Sequence, residues 1–335
     1  MNIVQVLLSP RIGGAESLVA GLQQHWNDSE VANSVIYVDS AATLSSSPLA
    51  RLVRMRAALK HAKPDVIISH SALPNLYARL AASYSTPAIS VLHSSEDDFV
   101  SLPLRWMERL LRKRTTALVA VSPAQRDRYM RRFPNHSRPV VIANGIAINA
   151  RELSTRTRSD SPFHVVSLSR VVRQKNPRLW KAVAAQLGDQ HFRFTWFGPG
   201  GYDRALDQMM KEEVPAGANY AGPTTHVADV LASAAIFFHS SNSEANSVSL
   251  LEAAAAGLPI VCSENVAATL PFYIGPVAFK TDSVESATEA LLLVRDKYEA
   301  LAERARAVGP RVQREFGIAE CAAKYLELVG SVCSA

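Results

Sequence analysis

Short apolar runs alternate with amphipathic stretches along the whole chain. In the first half the runs are Ile3–Leu8, Val35–Val38, Val66–Ile68, Ile89–Leu92, Leu118–Val121 and Val140–Ala143, rich in Val and Ile. They show no polar face, which predicts strands buried on both sides, as in a parallel sheet. Ala15–His25, Leu49–His61, Leu73–Ser83, Leu104–Arg114 and Ala124–Phe133 lie between them and read as amphipathic helices. Parallel neighbours need a crossover, and a helix supplies it, so the pattern predicts the β-α units of a doubly wound sheet.

The same alternation restarts at Phe163. Strands are expected at Phe163–Leu168, Phe192–Phe197, near Tyr220, at Ala235–His239 and at Pro259–Ser263. Helices are expected at Arg178–Leu187, Asp203–Lys211, Val227–Ala232 and Ser247–Ala256, with further helices from Ser283. The stretch Asn149–Pro162 is polar and ends in proline, so the linker is set at 151–162. The fold class expected is α/β, two Rossmann-like doubly wound domains over 1–150 and 163–314, followed by a helical segment over 315–335. Two such domains are expected to face a central cleft at the carboxyl ends of their strands. Ligands of open α/β sheets bind at such edges, so the residues just after each strand are the ones to weigh.

Composition narrows the class. With 48% apolar and 20% charged residues over 335 positions, the chain has ample core for two domains and is not disordered. No apolar run reaches the roughly 18 residues of a membrane span, and Met1-Asn2-Ile3-Val4 reads as a strand rather than a signal peptide. Cys262, Cys321 and Cys333 form no C-x-x-C, which argues against a disulfide framework or a zinc knuckle. A cytoplasmic location is the default expectation. The net charge of +6 is unevenly spread: residues 1–150 hold 17 Lys/Arg against 10 Asp/Glu, and the rest of the chain is nearly neutral. The first half is therefore expected to meet something anionic.

Three segments after strands carry candidate chemistry. Gly13-Gly14 leads into a helix, so it is either a loop through which the backbone approaches an anion or an ordinary glycine turn. Arg170, Arg173 and Lys175 follow the strand that opens the second half; an Arg fork and a Lys point charge suit phosphate, although a solvated basic turn has the same look. The third segment holds Glu244 and Glu252, seven residues apart in between, with Ala245-Asn246-Ser247-Val248-Ser249 after the first and a run of alanines after the second. A carboxylate can accept both hydrogen bonds of a sugar or ribose diol, and free amides at a helix start suit a diphosphate. As an alternative, Glu252 is simply an exposed helix residue.

The last segment resembles the E-x7-E motif of glycosyltransferase family 4, retaining enzymes with the GT-B fold. The likeness runs along nearly the whole chain. Gly13-Gly14-Ala15-Glu16 is similar to that family's N-terminal donor loop, and His70 and His93 to its two strand-end histidines. Val121-Ser122 and Ile142-Ala143-Asn144-Gly145 are similar to the last strands of its first domain, Arg170 and Lys175 to its basic pair, and Phe197-Gly198-Pro199-Gly200 to its next glycine turn. The resemblance implies an acceptor-side first domain, a donor-binding second domain and a last helix that crosses back to the first. It implies that Arg170 and Lys175 hold the donor diphosphate, that Glu252 binds ribose, and that Glu244 binds the transferred sugar. Gly13, Gly14 and Gly198 would approach the donor through backbone, Asn246, Ser247, Val248 and Ser249 would line the sugar pocket, and His93 would sit beside the reacting carbon. Residues 222–226 would hold the base.

The implied reaction moves a hexose or N-acetylhexosamine from a nucleotide-diphosphate sugar, UDP-sugar favoured, to a glycan or lipid-linked acceptor, in bacterial surface polysaccharide synthesis. No cofactor and no metal are expected, because the cations do the work a divalent ion does elsewhere. Glu96-Asp97-Asp98 reads as a solvated turn. The family's Phe-Gly is replaced here by Asn246-Ser247, which bears on the identity of the sugar. Three cationic groups, Arg105–Arg114, Arg126–Arg132 and Arg51–Lys63, read either as solvated helix faces or as a peripheral contact with an anionic membrane. Nucleic acid is not expected, for no stacking aromatics accompany the charge. The alternatives are a GT-B-like sugar-nucleotide epimerase and a non-catalytic glycan-binding or partner subunit.

Overall fold

Val, Ile and Leu fill both faces of the central strands, and the computed structural model buries them between layers of helix. It describes every residue except 11–12, 28–30, 40–46, 95–98, 100, 148–161, 189–190, 213 and 335. Apart from Pro162, the expected linker lies outside the described residues, as does the Glu96-Asp97-Asp98 turn. The chain forms two units, residues 1–145 with 318–335, and residues 146–317.

The first unit runs β1 (Asn2–Leu7), α1 (Gly14–Trp26), β2 (Ala32–Tyr37), α2 (Pro48–Ala62), β3 (Val66–His70), α3 (Ala72–Ala81), β4 (Ala88–Leu92), α4 (Leu102–Leu111), β5 (Ala117–Ala120), α5 (Pro123–Arg132) and β6 (Val140–Val141). All strands pair in parallel in the order β2-β1-β3-β4-β5-β6. Every residue of β3 and β4 is buried, as apolar runs without a polar face require. The strand order reverses beside β1, which makes the loops after β1 and β3 a switch point.

The second unit runs β7 (Phe163–Leu168), α6 (Pro177–Leu187), β8 (Phe192–Phe197), α7 (Arg204–Lys211), β9 (Ala218–Gly222), α8 (Val227–Ser233), β10 (Ile236–His239), α9 (Val248–Ala255), β11 (Ile260–Ser263), α10 (Glu264–Ala267), β12 (Val277–Phe279), α11 (Val284–Asp296) and α12 (Tyr298–Phe316). Its parallel sheet has the order β12-β11-β10-β7-β8-β9. Trp180 on α6 meets Trp196 on β8 edge to face, with centroids 5.6 Å apart, in a core shared with Phe194 and Phe238.

Three elements differ from the sequence pattern, the first being α10, a four-residue turn with no period to read. β12 is three residues long, too short for periodicity to reveal it. The helix expected from Glu315 is interrupted at Gly317, which has extended backbone (φ −61°, ψ 151°) between α12 and α13 (Ile318–Cys333). Gly317 sits there at ordinary dihedrals, but a Cβ would meet the Gln313 carbonyl oxygen at 2.4 Å. From there α13 packs on α1 within the first unit. The fit is tight: a Cβ on Gly21 would lie 2.9 Å from Ile318 Cδ1, and one on Gly145 only 2.7 Å from Cys321 Cβ. Among the described residues no helix is long and apolar enough to cross a membrane. All three cysteines are free, Cys262 and Cys321 buried and Cys333 exposed.

Candidate active site

Parallel pairing sends the loops after β8, β7 and β10 out at one edge of the second sheet, side by side. These loops carry Gly198, Arg170 with Lys175, and Glu244. Two of them are laced together. Ser240 Oγ donates to the Lys175 carbonyl (2.7 Å), Ser241 Oγ to that of Gln174 (3.0 Å), and Gln174 Nε2 to that of Ser243 (2.6 Å). Asn242 N closes the lattice on the Gln174 carbonyl at 2.9 Å. Ser263 Oγ, from the end of β11, fixes the Ser241 carbonyl at 2.7 Å. Buried loop carbonyls are thereby satisfied, and the backbone is held without a ligand.

Lys175 closes a single 3-10 turn, Arg173–Lys175, because Asn176 takes left-handed backbone (φ 48°) and starts α6 with Pro177. Asn176 caps that helix, its Oδ1 accepting from Leu179 N at 3.2 Å. Its Nδ2 donates to Asn242 Oδ1 (3.0 Å) and Asp282 Oδ1 (2.8 Å), which locks the turn in place.

The Lys175 ammonium then donates to Glu244 Oε1, and His239 Nε2 donates to the same oxygen at 2.8 Å. All three side chains are largely enclosed; Glu244 is 8% exposed and Lys175 13%. Burial alone raises the Glu244 carboxyl pKa, but the Lys175 charge and the two hydrogen bonds overcome it and hold the group well below the usual carboxylate range. Burial lowers the His239 pKa against the pull of Glu244. An ionised carboxylate can only accept, so Nε2 of His239 carries the proton and its buried Nδ1 is left without a partner. The cluster therefore presents an ionised Glu244 with its second oxygen outside these bonds, beside a cation with further N–H groups.

Arg170 follows β7 and is exposed, its guanidinium carbon 5.4 Å from the centre of the Tyr202 ring. Gly198 is extended in a way open to glycine (φ 146°), and a Cβ there would fall 1.9 Å from the Ser169 carbonyl oxygen. That carbonyl also accepts from Trp196 Nε1 at 2.8 Å. Gly198 thus lets the β7 and β8 exits pack together next to Arg170. Gly198→Ala is expected to cost about 2–4 kcal/mol, read by denaturant unfolding, since both clashing groups are backbone; unchanged stability would contradict this packing.

Ser247 precedes α9 in extended backbone, and its hydroxyl lies 3.3 Å from that of Ser249. The first N–H groups of α9, at Val248 and Ser249, have no partner within the helix. Asn246 and the half-buried Glu252 flank this start. The Glu252 carboxyl has no hydrogen-bond or ion-pair partner among the described residues, and burial raises its pKa to about 7.

Gly13, Gly14 and His93 belong to the first unit. Gly13 precedes α1 in extended backbone, and Gly14 is its first residue. His93, just past β4, is joined to His70 at the end of β3, His93 Nε2 lying 3.0 Å from His70 Nδ1. His70 Nε2 reaches Gln5 Oε1 on β1 at 2.8 Å. Burial lowers the pKa of His93 to about 4, and burial together with the neighbouring His93 holds that of His70 well below the ordinary imidazole range. Both rings are therefore neutral at pH 7. His239 is the site residue the sequence concealed: it looks like one more position of an apolar strand. Among the described residues no group of three His, Cys, Asp or Glu converges.

Residues 12–150 match the model of Glycosyltransferase Family 4, and residues 162–309 that of Glycosyl transferases group 1. No curated protein matches the chain in sequence. Among solved structures it is similar to HepE of Anabaena in complex with UDP and glucose, with 15% identity, TM-score 0.81 and coverage of 99% of this chain and 100% of that one. It is also similar to a glycosyltransferase from Rickettsia africae (14%, TM-score 0.79, 99% and 98%) and to sucrose-phosphate synthase from Thermosynechococcus elongatus (14%, TM-score 0.80, 100% and 99%). With two parallel six-stranded sheets and a domain model matched on each half, the chain belongs to the family 4 type of glycosyltransferases and has the GT-B fold.

Proposed function

We propose that the protein is a retaining transferase that takes a hexose or N-acetylhexosamine from a UDP-sugar and passes it to a glycan or lipid-linked acceptor, in the building of a bacterial surface polysaccharide. The observation that carries this reading is the Lys175–Glu244–His239 cluster, set in laced loops with Arg170 exposed beside it. HepE, similar in fold, is seen with UDP-glucose, which supports uracil as the base.

Breaking the anomeric bond leaves positive charge on the sugar and adds negative charge to the departing diphosphate. Arg170 and Lys175 stabilise that diphosphate as its charge grows, and the amides at the start of α9 add fixed positive dipoles. Because these cations are in place before the reaction, no divalent ion is required. Ionised Glu244 accepts from hydroxyls of the transferred sugar, oriented by His239. Asn246, Ser247 and Ser249 line the sugar, and Gly198 brings the β8 exit close to the donor. Gly13 and Gly14 approach the diphosphate through backbone. His93, neutral and anchored through His70, acts as a hydrogen-bond partner for the sugar or acceptor and not as a cation.

Glu252 is assigned to the ribose diol, and this gives a pH test. The native carboxyl holds its proton up to a pKa of about 7, whereas the ordinary value is 4.5. Native-state stability therefore falls as pH rises between those values. Two donated diol bonds favour the ionised form, so donor binding releases a proton. UDP-glucose titrated by calorimetry in excess EDTA is expected to bind up to about tenfold more tightly at pH 8 than at pH 6. Glu252→Gln should bind more weakly and without pH dependence. A wild-type affinity independent of pH, matched by the variant, would remove Glu252 from the ribose; a strict need for metal would remove the role given to the cations.

A further inference from the structure

The first unit contains a groove of about 650 Å³ that the transferase reading does not use. It lies where the carboxyl ends of α2, α3 and α4 meet, below the amino ends of β3–β5, at the edge of the sheet opposite the strand exits. Arg56, Lys60, Lys63, Arg79 and Arg114 line it, and none of the described lining residues is acidic.

The cations divide into two kinds. Arg79 is buried and spent inside the fold, bonded to Glu108 (2.5 Å) and Thr115 (3.0 Å). Arg114 is bound to the Arg79 and Ala82 carbonyls and lies over the Tyr84 ring, 3.8 Å from its centre. Arg56, Lys60 and Lys63 are exposed, and their side chains have no hydrogen-bond or ion-pair partner among the described residues. Lys63 is held at the groove by left-handed backbone at the end of α2 (φ 47°).

Exposed apolar side chains run toward the same place. On α4, Leu102, Trp106 and Leu110 are spaced by four and form one stripe; Trp106 and Leu110 are each 63% exposed. On α2, Leu49 and Val53 begin a stripe that Arg56 and Lys60 continue into the groove. Tyr84, 92% exposed, stands at the rim. Unpaired cations beside outward-facing Trp, Tyr and Leu match the two layers of a membrane interface, phosphate and the acyl boundary. A soluble anion would use the cations and leave the apolar stripe unexplained.

We propose that this groove seats the phosphate of an anionic phospholipid, with Trp106, Leu110 and Tyr84 entering the headgroup region of the bilayer. The assignment stands apart from the donor site and needs nothing from the second unit.

Vesicle sedimentation of the full chain tests it, using phosphatidylcholine alone or with about one third phosphatidylglycerol. Wild type is expected to bind the anionic vesicles at least tenfold more tightly. The triple variant Arg56→Glu, Lys60→Glu, Lys63→Glu should lose roughly a hundredfold. An equal change of charge on the second unit, Arg193→Glu, Lys211→Glu, Lys297→Glu, should lose only a few fold. Trp106→Ser/Leu110→Ser should weaken binding with all the charges kept. All these side chains are exposed, and unchanged thermal unfolding checks the fold of each variant. Equal binding to both vesicle types, or equal losses in the two triple variants, would overturn the proposal. So would release by inorganic phosphate beyond that caused by chloride of matched ionic strength, which would mark a site for a free phosphate compound instead.

Discussion

Lys175→Ala should lower both turnover and stability, turnover by about a thousandfold and stability by about 3–5 kcal/mol. The two losses have one origin. Lys175 neutralises Glu244, which is 8% exposed, and without it a buried carboxylate keeps only the His239 hydrogen bond. Its depressed pKa contributes stability above the ordinary carboxylate range, lost in the wild type only as pH falls toward the native value. In the variant that contribution is gone at neutral pH, and the Glu244 pKa rises. A second substitution separates structure from chemistry. Lys175→Met combined with Glu244→Gln removes both charges while keeping volume, so stability should largely return, with turnover still absent. Denaturant unfolding and initial-rate measurements on the same preparations decide the matter. Recovery of turnover in the double variant, or wild-type rates in the single one, would rule out a role for the cation in the reaction.

Arg170→Ala is the complementary case. Its side chain is exposed and lies over the face of the Tyr202 ring. Thermal stability should stay within the roughly 0.5 kcal/mol typical of surface changes. Turnover should fall about 10²–10³-fold, mostly in kcat, because the diphosphate gains charge as the bond breaks. Arg170→Lys keeps the charge but not the two-pronged geometry and should recover only part of the rate. A loss confined to KM would mean that the guanidinium binds donor and transition state alike, and not that it assists departure of the leaving group.

The β-α alternation was legible because parallel strands covered on both faces need unbroken apolar runs, as β3 and β4 show. Glu244 and Lys175 were legible as residues that follow strands, since exits of parallel neighbours share one edge. Their direct contact was not. It depends on the pairing of β7 with β10, two strands some seventy positions apart in sequence. His239 was hidden by its strand, where a buried polar residue and an apolar one occupy the same kind of position. The charge excess of the first half was countable, but its disposition was not: Arg51 pairs with Asp39 at 2.8 Å and Arg114 with backbone carbonyls, while Arg56, Lys60 and Lys63 remain for a ligand. The break at Gly317 escaped because helical periodicity continues on both sides of it, so only backbone geometry marks the change of unit.

The packing of α13 bears on how the protein folds. The second unit is one continuous stretch, residues 146–317, whereas the first needs residues from both ends of the chain. Cys321, Ala322, Tyr325 and Val329 are buried there, and Gly21 and Gly145 are shaped around the arriving helix. The first unit therefore closes only when two stretches separated by the whole second unit have met. Loop-closure entropy makes such a contact slow to form, and the second unit needs none of that kind. A version of the chain that stops at Gly317 is therefore expected to retain a folded second unit, while the first lacks the helix around which Gly21 and Gly145 are shaped.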